Sequence, residues 1–120
     1  MKLHASEHEI QAAFVQWLRL KKIWHFAVPN ALKVGGVKLM AYLKAEGLTA
    51  GVPDLIIPYR TKEYGSLAIE MKRRGGTVKD NQKEWHEFLR GQGYRVVVCY
   101  SADEAIAETI HYFNGGVNHV

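Results

Sequence analysis

Gly51-Val52-Pro53-Asp54-Leu55-Ile56-Ile57-Pro58-Tyr59 and Ser66-Leu67-Ala68-Ile69-Glu70-Met71-Lys72 are two β-prone segments separated by a Glu63-Tyr64-Gly65 turn, the pattern of a hairpin. Side chains alternate across a strand, so Leu67, Ile69 and Met71 share one face of the second segment and Ala68, Glu70 and Lys72 the other. Charges inside otherwise apolar strands need explaining, because an unpaired buried charge is expensive. Asp54 opens the first strand, and Glu70 and Lys72 lie on one face of the next. Carboxylates on adjacent strands present hard oxygen ligands to a divalent cation. A lysine two residues along the same face then reaches a water or phosphate oxygen at that cation, the set of parts that phosphoryl transfer needs. A plainer reading stands beside this one. Glu70 and Lys72 pair on a solvated strand face, and Asp54 is a turn residue after Gly-Val-Pro.

Working outward, Ser6 and Glu9 form a capping box at the start of a helix running to about Lys22. Its buried stripe is Ile10, Ala13, Phe14, Trp17 and Leu18. Trp24 to Val28 reads as a strand ending at Pro29, and Val37 to Glu46 as a short helix with Leu39, Met40 and Leu43 inward. Beyond the hairpin, a helix opening at Thr77 or Asp80 carries Trp85, Phe88 and Leu89 inward. Tyr94 to Tyr100 reads as a strand buried on both faces. Ser101 caps a final helix whose apolar residues are Ala105, Ile106, Ile110 and Phe113. This order favours an α/β fold, a mixed sheet with helices packed on it.

The 120 residues carry 16 Lys and Arg against 12 Asp and Glu, a net charge of +4. A length of this order predicts one domain, residues 1–120. The balance permits a polyanionic partner without requiring one. No apolar run approaches the roughly 18–20 residues of a membrane span, and the N-terminus turns polar where a signal peptide would be apolar. A soluble cytoplasmic protein is expected. The one cysteine, Cys99, reads as a buried inert thiol. The six histidines show no metal-ligand spacing. His86 and the tryptophans Trp17, Trp24 and Trp85 fit amphipathic packing positions better than a base-stacking platform. No glycine-rich nucleotide fingerprint is present, so no nucleotide cofactor is expected.

Gly51-Val52-Pro53-Asp54-Leu55 followed by Ile69-Glu70-Met71-Lys72 resembles the Pro-Asp…(Asp/Glu)-X-Lys nuclease signature. Within that group the chain resembles the virus-type replication-repair nuclease (VRR-NUC) domain. Three further matches carry this: the helix start Ser6-Glu7-His8-Glu9-Ile10-Gln11, Gln82 in the helix after Glu-X-Lys, and Gly93-Tyr94-Arg95-Val96-Val97-Val98 beyond it. The resemblance runs from Ser6 to Phe113. It implies a restriction-endonuclease-like αβββαβ core, with a mixed central sheet flanked by helices. It also implies that Asp54 and Glu70 bind Mg²⁺ or Mn²⁺, with the Met71 backbone carbonyl completing the ligation. Lys72 would orient the attacking water or stabilise the pentavalent phosphate, with a helix-borne Glu and Gln82 nearby. The activity implied is a homodimeric endonuclease cutting branched DNA such as four-way junctions, in a bacterial or phage-infected cytoplasm. A nuclease acting on flaps, nicks or linear duplex, and a non-catalytic DNA-binding module, are the alternatives.

Helical geometry separates the candidate glutamates. At about 100° per residue, Glu7 falls roughly 50° from the centre of the Ile10–Leu18 stripe and Glu9 roughly 110°. Glu7 therefore borders the core and is the candidate site residue and additional metal ligand; stabilising the helix dipole is its plainer role. Gln82 lies at the rim of a buried face, placed for Lys72, a water, a phosphate or a local backbone group. Lys72, Arg73, Arg74, Lys79 and Lys83 form a basic run that either meets flanking phosphates or is a solvated loop. Lys33 and Lys38 form a second candidate contact arm.

Overall fold

The structure is a computed structural model and describes residues 4–29 and 36–115. Lys33 lies outside the described residues. Eight elements follow one another: α1 (Glu7–Leu20), β1 (Phe26–Ala27), α2 (Gly36–Ala45), β2 (Leu55–Ile57), β3 (Ser66–Met71), α3 (Asp80–Gly91), β4 (Tyr94–Cys99) and α4 (Ala102–Phe113). The strands form one mixed sheet in the order β1-β2-β3-β4. β2 and β3 make the expected antiparallel hairpin, with Leu55 opposite Ile69 and Ile57 opposite Leu67. β4 runs parallel to β3, and a parallel pair requires a crossover, which α3 supplies.

Helices cover both faces of the sheet. On one side Ile10, Phe14 and Leu18 of α1 and Ala105 and Tyr112 of α4 pack against Leu55, Ile57, Leu67, Ile69 and Met71. On the other, Leu89 and Trp85 of α3 pack against Ile56, Ala68 and Val96. The period-two alternation read from the hairpin thus divides these two cores as expected. The α1 cap also forms as read: Ser6 Oγ accepts from Glu9 N at 3.1 Å, and Glu9 Oε1 accepts from Ser6 N at 3.2 Å.

Several local expectations change. Of the Trp24–Val28 segment only Phe26 and Ala27 form ladder pairs, because β1 is an edge strand with a three-residue partner. Ala13 is exposed, and the fully buried line of α1 is Ile10, Phe14 and Leu18. No residue of α2 is fully buried, and Leu39, Met40 and Leu43 are each half-covered. In α3 Phe88 is exposed and His86 takes the interior position instead. In α4 the buried face is Ala105, Thr109 and Tyr112, with Ile110 and Phe113 turned outward. The α4 stripe rotates because α1 and β4 contact it together, and Thr109 tolerates burial by donating its hydroxyl to Ala105 O at 2.7 Å.

The turn before Asp54 is docked rigidly. Gly51 has φ +94°, and a Cβ added there would lie 2.8 Å from the Asn81 carbonyl oxygen and 3.2 Å from Trp85 Cδ1. Glycine is needed twice over, for the backbone conformation and for the close approach to the start of α3. Gly51→Ala is expected to destabilise the fold by roughly 2–4 kcal/mol, combining backbone strain with overpacking. Gly47→Ala should cost less in the same urea titration, because Gly47 shares a positive φ of +110° but faces open space. Equal costs at the two positions would contradict the docking argument.

Candidate active site

Continuing the β2–β3 register by one residue from Leu55–Ile69 places Asp54 directly opposite Glu70. The Met71 backbone N–H donates to Asp54 Oδ2 at 2.7 Å, which fixes the carboxyl over the end of the hairpin. Glu70 is held from the helix side. Gln82 Nε2 donates to its Oε2 at 3.3 Å, and His86 Nε2 lies 3.2 Å from its Oε1. An ionised carboxylate only accepts, so the His86 contact is an Nε2–H donation from the ring. Gln82 takes the local backbone role expected of it, since its Oε1 accepts from Lys79 N at 2.9 Å at the start of α3, while its contact to Glu70 lies beyond the expected partners.

Glu70 is 2% exposed and Lys72 5%. The solvated-face reading of this pair is therefore overturned, because α3 crosses the face on which both residues stand. The Lys72 backbone N–H continues the sheet by donating to Cys99 O at 2.9 Å, so the residue after β3 is still pinned to β4. Its ammonium is near enough to favour the ionised form of Glu70 and the neutral form of His86.

The electrostatics of the carboxyl pair are unusual. Burial raises the Asp54 pKa from 3.8 to about 7, helped by its hydrogen bond to Glu70 and by the Glu70 and Glu7 charges. Burial also raises Glu70, against the hydrogen bond from Asp54 and the Lys72 charge, which lower it. Both carboxyls are thus pushed toward holding a proton, as close acidic pairs are. Burial, then the Arg90 and Lys72 charges, lower His86, so its ring is neutral.

This donor set fits a hard divalent cation. Two facing carboxyls in a desolvated site hold a proton where a cation would neutralise both, and Mg²⁺ typically takes one or two carboxylates and completes its shell with water and phosphate. The Gln82 and His86 contacts to Glu70 are the outer hydrogen bonds that orient ligating carboxylates. Glu7, half-buried at the start of α1, reaches the pair electrostatically. However, among the described residues no group of three His, Cys, Asp or Glu is close enough to hold a metal together. The structure therefore does not make Glu7 a third member of the Asp54–Glu70 cluster.

A cleft of about 160 Å³ opens beside Asp54, bounded by Val28, Met40 and Lys44 on one side and by Lys79 and Gln82 on the other. Arg73, Arg74, Lys79 and Lys83 are exposed around the β3–α3 connection, and Lys38 is exposed on α2. Lys44, His86 and Gly51 were not marked as site residues from the sequence. A signal for His86 existed, since it stands four positions after Gln82 and so on the same helix face. Lys44 carried none, because its place in the cleft depends on how α2 returns to β2.

Comparison with known proteins agrees with this fold. The VRR-NUC domain family matches residues 2–103. A solved structure described as a VRR_NUC domain protein superposes with a TM-score of 0.79 at 28% identity, covering 92% of this chain and 90% of that chain. No curated protein matches. The family match takes in α1, the hairpin, α3 and β4, and with them Glu7, Asp54, Glu70, Lys72 and Gln82. With its nuclease-type fold, the chain belongs to the VRR-NUC domain family.

Proposed function

We propose that the protein is a Mg²⁺- or Mn²⁺-dependent endodeoxyribonuclease that cuts branched DNA, acting as a homodimer. The observation that carries this is the facing Asp54–Glu70 pair with the Lys72 ammonium buried beside it. Asp54, Glu70 and the Met71 carbonyl would hold the ion. Bound there, the ion supplies positive charge at the scissile phosphate and acidifies water. Lys72 adds a fixed cation at the same place. Charge of this kind, oriented before the reaction and partly shielded from water, stabilises the extra negative charge of the transition state.

Gln82 and His86 are positioning residues. They hold both Glu70 oxygens from α3, so the carboxylate keeps one orientation beside Asp54, which lines the cleft. Lys44 and Lys79 at the cleft, with Arg73, Arg74 and Lys83 beyond it, neutralise phosphates on either side of the cut. Contacts of this type position DNA without reading its sequence. Selectivity then rests on the shape of the DNA, and a two-fold dimer would present two such sites to a two-fold branch.

The test compares cleavage of a four-way junction, a flap, a nicked duplex and a linear duplex in Mg²⁺ and in EDTA. The junction is expected to be cut fastest, only with the divalent ion, and binding is expected to weaken steeply as salt rises through counterion release. Equal rates on all four substrates would overturn the branch preference, and cutting in EDTA the metal requirement. A salt-independent affinity would remove the basic residues from the phosphate contacts.

A further inference from the structure

Trp24 does not pack in the interior as its sequence setting implies. It is 79% exposed, and Phe26, two residues on, is 53% exposed. Phe26 pairs with Ile56 and therefore stands on the α3 side of the sheet, the side of the second core. Trp24 stands two positions before Phe26, just ahead of the two-residue strand β1 and next to Ile23, which packs into the core. Val28 N donates to Asp54 O at 2.9 Å. At about 3.3 Å per residue, Phe26 stands about 7 Å along the strand from the position abreast of Asp54.

The backbone that carries the exposed indole is held in place. The Trp24 backbone N–H donates to Tyr59 Oη at 2.9 Å, and Tyr59 O accepts from Tyr112 Oη at 2.6 Å, which ties this edge to a fully buried side chain of α4. Arg19, Lys22 and His25 line the same shallow depression as Trp24. Exposed aromatics interleaved with cations are the physical make-up of a single-strand stacking surface, the rings taking base faces and the cations taking phosphates.

We propose that Trp24 and Phe26 form a stacking platform for unpaired bases next to the cut, so that the preferred substrate is DNA whose strands separate at the branch. This rests on the nuclease reading above and deepens it by naming what the protein recognises in a branch. A second copy of the chain fits this surface less well. β1 is too short an edge to extend a sheet across a two-fold axis, and the Arg19–Lys22 cations would meet their own copies there.

The test measures DNA binding in EDTA for wild type, Trp24→Ala, Phe26→Ala, the double variant and Trp24→Phe. The probes are a linear duplex, a four-way junction and a duplex with unpaired bases carrying a fluorescent purine analogue. The double variant is expected to lose about tenfold or more in affinity for the unpaired-base probes while staying within about twofold on linear duplex. Trp24→Phe should retain most of the affinity, and quenching of the analogue should vanish in the double variant. An equal loss on linear duplex, or unchanged affinity on the unpaired-base probes, overturns the platform. Conversion of a dimer to a monomer in sedimentation, with unchanged quenching by the species that remains, would assign the surface to a second copy. Should Trp24→Ala not fold, Phe26→Ala and Trp24→Phe carry the same comparison. Failure of the wild type to cut any DNA in Mg²⁺ would sink the nuclease reading alone, since the binding arms need no metal.

Discussion

Lys72→Ala is expected to lower the rate of DNA cutting by about 10²–10³-fold while changing DNA affinity by less than about threefold. The size follows from where the ammonium stands. It is 5% exposed, beside the carboxyl pair, and its charge acts on Glu70 and His86 rather than on bulk water. A cation in that position is felt most when negative charge grows on the phosphate, so its loss should appear in kcat rather than in binding. Arg73, Arg74, Lys79 and Lys83 are exposed and should show the opposite split, each lowering affinity modestly and leaving the rate of the bound complex unchanged. Single-turnover cleavage with Mn²⁺ titration in parallel checks this. Retained metal binding with lost cutting is the expected result, whereas equal cutting by wild type and variant would remove Lys72 from the chemistry.

Asp54→Asn is expected to abolish Mn²⁺ binding and cutting, and at the same time to change how the metal-free protein responds to pH. Asp54 titrates at about 7 when folded, against an ordinary 3.8, because it is buried and faces Glu70. Between those values the folded state keeps a proton that the unfolded chain has released. The metal-free wild type should therefore lose stability as pH rises from about 4 to about 7, and level off above. On the proposed function a divalent ion would take the place of that proton, so Mn²⁺ should raise the melting temperature more at pH 8 than at pH 6. The asparagine variant has no carboxyl to ionise at this position, so its decline over the same window should be smaller and Mn²⁺ should give no upward shift. Thermal melts across pH with and without Mn²⁺ read all of this. A flat profile for the metal-free wild type, or a metal-induced shift surviving in the variant, would contradict the assignment.

The hairpin was legible because its evidence is local. Alternation in Ser66–Lys72 sorts side chains onto two faces whatever surrounds the strand, and the turn residues mark the hairpin. The Ser6–Glu9 capping box is equally local, and helical geometry alone brought Glu7 rather than Glu9 to the border of the core. Errors arose where a neighbour decides burial. Trp85, Phe88 and Leu89 present an apolar stripe on α3, yet Phe88 turns outward, because the α3 face that crosses β3 also delivers Gln82 and His86 to Glu70. In α4, Ile110 and Phe113 are more apolar than Thr109, but α1 and β4 meet the helix on the Ala105–Thr109–Tyr112 side. Trp24 reads as a packing residue from its setting, yet it stands 79% exposed ahead of the edge strand.

By itself, then, the sequence determined the order of elements, the hairpin and the shared strand face of Glu70 and Lys72 beside the strand that Asp54 opens, since each follows from the period of a strand or a helix within a short segment. Only the tertiary structure decided the register that sets Asp54 opposite Glu70, that Glu70 and Lys72 are buried, that His86 completes the support of Glu70, and that Trp24 and Phe26 stand in solvent. These depend on how the strands pair and which face each helix covers, and that is set by long-range packing that no local periodicity encodes.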